Sequence, residues 1–161
     1  MVLKNNMNPD DVLIQYVRDL NLKNPENLVG MYDGKYTDSK TLYTSGLGGC
    51  TATLVYFESD TKKEGILTHF PPTNLVENVQ KIEELKERTD KKPKSVSGIL
   101  LVNSFDLHIE SFSGVIRCLF PRIKLKVLQY DLSIIGDVSI DPHKGTWKSD
   151  QYGENSFITP D

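Results

Sequence analysis

The sequence predicts an α/β (α+β) fold: a single-domain sandwich in which a mixed, mainly antiparallel β-sheet packs against helices. Three observations lead there. Short apolar runs of strand length recur along the chain, one of them without any polar alternation. Amphipathic helical stretches with recognisable start signals lie among them. Turn residues punctuate the boundaries, and no linker, internal repeat or low-complexity tract divides the 161 residues, which suffice for one domain with a real core. The whole span, 1–161, is read as one domain, with 1–27 as an N-terminal helical extension.

The elements follow in order. Asn8, Pro9, Asp10 and Asp11 form a helix start, with a cap, proline in the first turn and acids at the positive dipole end. Val12, Leu13, Tyr16, Val17 and Leu20 follow at helical spacing, and the helix is expected to end near Asn21. Asn24 to Asn27 reads as a turn. A short strand over 28–32, a hairpin turn at Asp33 and Gly34, and a return strand over 40–44 come next. Strands over 51–57 and 65–70 flank the polar turn 58–64, and Pro71 and Pro72 stop the second. Asn74 caps a helix with Glu77 at the capping-box position; Leu75, Val76, Val79, Ile82 and Leu85 make its apolar stripe. The run 95–102 has the look of a central strand covered on both faces. Ser104 caps a further helix carrying Phe105, Ile109, Phe112, Ile116 and Leu119, ended by Pro121. A half-buried strand over 124–130 follows, then short β-pieces around 133–140 and 144–148, with turns at Gly136 and at Asp141-Pro142.

Composition narrows the function classes. Hydrophobic residues at 38% and charged residues at 25% are those of a soluble globular protein. The formal net charge is -3, and the densest basic cluster, Lys91, Lys92 and Lys94, is a short solvated connector, so no nucleic-acid partner is expected. The two cysteines, Cys50 and Cys118, do not make a disulfide framework. With neither a signal-peptide core nor a membrane-length apolar run, the expected location is cytoplasmic, without membrane insertion; export by a route without a cleaved signal stays open.

Chemistry concentrates at Gly46-Leu47-Gly48-Gly49-Cys50. Three glycines within four residues deliver a thiol on a tight turn beside unshielded backbone N–H groups. That suits a nucleophile with an oxyanion site, for which the N–H groups of Gly49 and Cys50 are the expected donors. The alternative is a glycine turn followed by a small buried core residue. Pairing the strands after the turn as a hairpin, with Cys50 opposite His69, puts the midpoint between Ser59 and Asp60, inside the polar turn. Opposed residues share a face at about 4.5–5.5 Å between Cα atoms, so thiol and imidazole form a nucleophile–base pair. A one-residue slip would separate them. A catalytic imidazole also wants an orienting partner, and Thr44 is within reach. Asp60 belongs to the far end of the hairpin. Cys118 is expected buried and inert, His108 on the polar side of its helix, and His143 in an exposed turn. Trp147 packs on the sheet or lies at a partner surface. No spacing of these residues calls for a metal.

At these residues the sequence resembles CheD, the bacterial chemoreceptor glutamine deamidases. The resemblance rests on Thr44, the run Gly46 to Cys50, and the strand–turn–strand that ends in Gly65, Thr68, His69 and Phe70 before Pro71, and it covers about 41–72. Cytotoxic necrotizing factor and Burkholderia lethal factor toxins have a similar Cys–His site. The CheD turn carries Ser where this chain has Gly49. The resemblance implies Cys50 as nucleophile, His69 as base and Thr44 as orienting partner. It also implies a protein-glutamine deamidase that needs no cofactor, with a chemoreceptor or a host or regulatory protein as substrate and transglutamination as a side reaction. Two further readings are a non-catalytic binding domain and a cysteine amidase or peptidase. Both catalytic readings expect an accessible thiol of low pKa.

Overall fold

The polar turn after the first long strand folds back as its composition requires: Ser59 N–H donates to Lys62 C=O, and the chain returns. In the computed structural model, which describes residues 25–103, 108–134 and 136–158, β3 (Thr51–Glu58) and β4 (Lys63–Phe70) therefore form a long antiparallel hairpin. β3 is buried along nearly its whole length, because both of its neighbours are strands and both of its faces are covered. On its other side it pairs antiparallel with β5 (Ser95–Asn103), and β5 pairs parallel with β6 (Lys124–Tyr130). β1 (Asp33–Thr37) closes the far edge against β4, so the sheet runs β1-β4-β3-β5-β6.

Side-chain alternation sends successive residues of each central strand to different cores. Val55, Phe57, Ile66, Leu100 and Val102 face helices α1 (Leu75–Lys86) and α2 (Ile109–Leu119), meeting Ile82, Leu85, Phe112 and Ile116. Ala52, Leu54, Tyr56, Leu67 and Leu101 face a second, all-antiparallel sheet. That sheet has the order β2 (Leu42–Thr44), β7 (Val138–Asp141), β8 (Thr146–Ser149), β9 (Gly153–Ser156), and supplies Leu42, Val138, Ile140 and Trp147. Each fully buried aliphatic or aromatic side chain contributes about 1.5–3 kcal/mol. The protein is thus a mixed α+β sandwich: helices, a mixed sheet, then an antiparallel sheet.

Several expectations need correction. Asp33 and Gly34 do not turn a hairpin; they open β1, where a β-carbon on Gly34 would press 2.7 Å from Thr68 Cγ2. Glycine there serves close packing of strand on strand and helix. The expected return strand is β2, and it pairs with β7 in the other sheet. The 28–32 segment contributes only an isolated bridge, Leu28 to Tyr43, and 25–27 forms a 3-10 turn. The capping box of α1 is absent: Asn74 makes no side-chain cap bond, and Val76 is exposed while Asn78 is buried against Thr68. Cys118 is exposed, not buried, because α2 turns only one face to the sheet. Trp147 is buried, and His143 is exposed as expected. β9 has no apolar run and was not foreseen. The helix expected to start at Asn8, and the cap at Ser104, lie outside the described residues. Among the described residues, no helix is long and apolar enough to cross a membrane.

Candidate active site

The glycine turn is built as its residues demand. Cys50 N–H donates to Leu47 C=O at 2.7 Å, closing a four-residue turn. Its central residues are Gly48 at φ 51° and Gly49 at φ 107°, both in the positive region that disfavours side chains. Leu47 anchors the turn in the core between the sheets, against Gly136, whose added β-carbon would sit 2.9 Å from Leu47 Cβ. Ser45 Oγ donates to Asp137 Oδ1 at 2.6 Å. Tyr130, at the end of β6, clamps the turn: its phenol accepts from Gly49 N–H and donates to Cys50 C=O, both at 2.7 Å.

The hairpin register differs from the simple expectation. His69 pairs with Ala52, not Cys50, and the midpoint falls between Asp60 and Thr61. The offset is two residues, so continuing the β3 alternation one residue back from Thr51 puts Cys50 on the face of His69, as a diagonal rather than a direct neighbour. That face looks toward the second sheet, where β2 ends at Thr44. Thr44 Oγ1 lies 2.7 Å from His69 Nδ1 and donates to Val29 C=O at 2.7 Å. A hydroxyl has one hydrogen, and a carbonyl only accepts, so the imidazole must carry its proton on Nδ1 and give it to Thr44. Nε2 is then a bare acceptor. It is buried and, among the described residues, has no hydrogen-bond partner. The structure therefore brings Thr44 and His69 together directly, with Cys50 on the same face; Asp60 lies at the opposite end, paired with Lys94.

Two expectations about reactivity do not hold at rest. Cys50 is 8% exposed, and burial raises its thiol above the ordinary value rather than lowering it. His69, 2% exposed, is pushed down to about 4 by burial. The resting pair is thus a neutral thiol and a neutral imidazole. The thiol's contact is Met31 Sδ at 3.7 Å. Met31 is 54% exposed and Tyr32 56%; Tyr32 holds φ 64°, its N–H donates to His69 C=O at 2.8 Å, and its ring meets Phe70 edge-on. Met31 is the part of this segment that meets the sulfur. The second correction concerns the oxyanion donors: the N–H groups of Gly49 and Cys50 are both taken, by Tyr130 and Leu47.

Sequence reasoning missed Tyr130, Met31, Gly136 and Asp137. Each comes from a part of the chain distant from the motif, and none carries a local signal beyond the glycine at 136. Among the described residues no group of three or more His, Cys, Asp or Glu side chains is placed to hold a metal ion. A groove of about 340 Å³ runs along β2, β7 and β8, lined by Tyr43, Thr44, Asp137 and Trp147, but neither Cys50 nor His69 opens into it. No protein-family profile matches the chain, and no curated protein matches it.

Proposed function

We propose that this protein is a cysteine hydrolase of carboxamide C–N bonds, which converts a glutamine side chain of a partner protein to glutamate. The observation that carries the reading is His69: an imidazole whose Nδ1–H is fixed by Thr44 and whose Nε2 is buried, bare and on the face of Cys50. Free cysteines in a core need no such partner, whereas a nucleophile–base–orienter arrangement does. The likeness of Thr44, Gly46–Cys50 and His69 to CheD supports glutamine as the substrate side chain, and with it a bacterial chemotaxis, toxin or effector setting and a cytoplasmic place of action.

In this mechanism Nε2 takes the Cys50 proton as sulfur bonds to the amide carbon. The proton passes to the departing nitrogen, ammonia leaves, and a thioester remains. Water, giving its proton to Nε2, then hydrolyses the thioester, so that carboxamide plus water becomes carboxylate plus ammonium. The product gains one negative charge.

The test is a comparison of cell lysate treated with wild-type protein and with Cys50→Ser, searched for glutamines that gain about one dalton. Gains seen only with the wild type support deamidation; a wild-type digest indistinguishable from that of Cys50→Ser rejects it. The elevated, covered thiol favours one competing reading, a non-catalytic binding domain. On that reading Cys50→Ser and His69→Gln leave every property but stability intact.

A further inference from the structure

The two turn N–H groups expected to hold an oxyanion are occupied at rest. Gly49 N–H is held at 2.7 Å by Tyr130, and Cys50 N–H at 2.7 Å by Leu47 C=O. Acyl transfer nevertheless develops negative charge on the substrate oxygen, and a preorganised donor aimed at that oxygen is usually the largest single contribution to rate. A different group stands beside the turn. Asn103 ends β5, in register with Tyr130 at the end of β6, so both reach the sheet edge at which β3 begins. Its amide Nδ2 lies 3.6 Å from the place a β-carbon on Gly49 would occupy. The open side of Gly49 thus faces a side-chain amide, one residue before the thiol.

We infer that Asn103 is a further catalytic residue, whose side-chain amide N–H donates to the oxyanion formed when Cys50 attacks a carbonyl. The inference rests on the acyl-transfer reading above. Asn103 has a partner at rest, and an amide nitrogen with two N–H donors can turn one of them to an oxyanion as it forms. A neutral donor also suits surroundings that hold His69 uncharged, where a cation would be costly to bury. In the step itself, the Sγ–C bond forms, the carbonyl π pair moves to oxygen, and the Asn103 N–H bonds to that oxygen. The pair returns as C=O reforms and the leaving group departs with the electrons of its bond to carbon.

Two reagents separate this role from a structural one. A p-nitrophenyl ester acylates Cys50 through an oxyanion and releases p-nitrophenolate. Iodoacetamide alkylates the same sulfur by displacement of iodide at a saturated carbon, where no oxyanion arises. For Asn103→Ala and for the isosteric Asn103→Asp, which lacks the donor, the p-nitrophenolate burst should slow by about 10²–10³-fold. Alkylation should stay within about twofold of wild type. A burst within about threefold of wild type in either variant overturns the assignment, and so does a parallel loss of alkylation, which would make Asn103 a structural residue. A wild-type protein that alkylates but gives no burst overturns the acyl-transfer reading, and the assignment with it.

Discussion

Thr44→Val removes one oxygen and tests the joint between the two sheets. The residue is buried, and its hydroxyl makes two 2.7 Å bonds, donating to Val29 C=O and accepting from His69 Nδ1–H. Valine keeps the shape and strands both partners. An unsatisfied buried polar group costs about 1–3 kcal/mol, so the pair should cost about 2–4 kcal/mol, allowing for some relaxation. The chemical effect is larger than the stability effect, because the imidazole loses what fixes its tautomer. With the proton free to move to Nε2, the imidazole presents a donor where the proposed base needs a lone pair. Two measurements follow: urea unfolding, read as a lower midpoint at unchanged slope, and ring ¹⁵N shifts of His69, which distinguish the tautomers. Thr44→Ser should restore the tautomer and most of the stability. If Thr44→Val unfolds at the wild-type midpoint and its imidazole keeps the Nδ1–H form, the assigned hydrogen-bond direction is wrong.

Other consequences are as direct. Tyr130→Phe strands Gly49 N–H and Cys50 C=O inside the turn; a loss of about 1–3 kcal/mol is expected in thermal or urea unfolding. Gly49→Ala places a side chain at φ 107° and should cost about 1–3 kcal/mol, together with the burst reaction, while Gly30→Ala, which meets nothing within 4 Å, should be mild; equal effects would remove the argument for strain. Met31→Ala uncovers the sulfur, so iodoacetamide should label Cys50 several-fold faster at the same pH; an unchanged rate would show that Met31 does not shield it. His69 gives a pH dependence. Its pKa falls from 6.5 unfolded to about 4 folded, so the unfolded chain binds more protons between those values. The stability it confers is complete above 6.5, declines as pH drops toward 4, and amounts to about 3 kcal/mol. Urea unfolding of wild type against His69→Gln at pH 7 and pH 4 measures it, as a gap that narrows on acidification.

What the sequence revealed follows local physics. The β3–β4 hairpin was legible because polar residues between two apolar runs leave the chain few alternatives. His69 and Cys50 fell on one face because strand alternation survives a two-residue error in register. β5 was legible as an unbroken apolar run. The errors are equally physical. Asp33-Gly34 has the composition of a hairpin turn, yet the glycine is there because Thr68 and Leu85 pack on it. The partner of β2 is β7, nearly a hundred residues away, and no periodicity encodes that pairing. Tyr130 reads from sequence as a strand-end aromatic; only the fold turns its hydroxyl into a clamp. The thiol's raised pKa depends on burial by Met31 and the second sheet, which a motif does not contain.

A raised thiol and a depressed imidazole look at first like a poor catalytic pair, since proton transfer from sulfur to Nε2 is uphill. In the proposed amide cleavage the balance changes. The demanding step is protonation of the leaving nitrogen, and burial, which disfavours a charged imidazole, favours passing the proton on to that nitrogen. The uphill step is eased once substrate binds. Developing negative charge on sulfur, and then on oxygen, lies beside the imidazolium and favours its charged form. At rest the thiol lies against Met31 and is largely buried, which is expected to slow its reaction with adventitious electrophiles. A site of this kind predicts slow alkylation and fast acylation from one sulfur, with the ratio set by substrate rather than by a preformed thiolate. An alkylation rate that rises with pH through and beyond neutrality, without a plateau below it, accompanies that arrangement; a plateau starting under pH 6 would show an ion pair already formed, and the resting chemistry derived from burial would have to be given up.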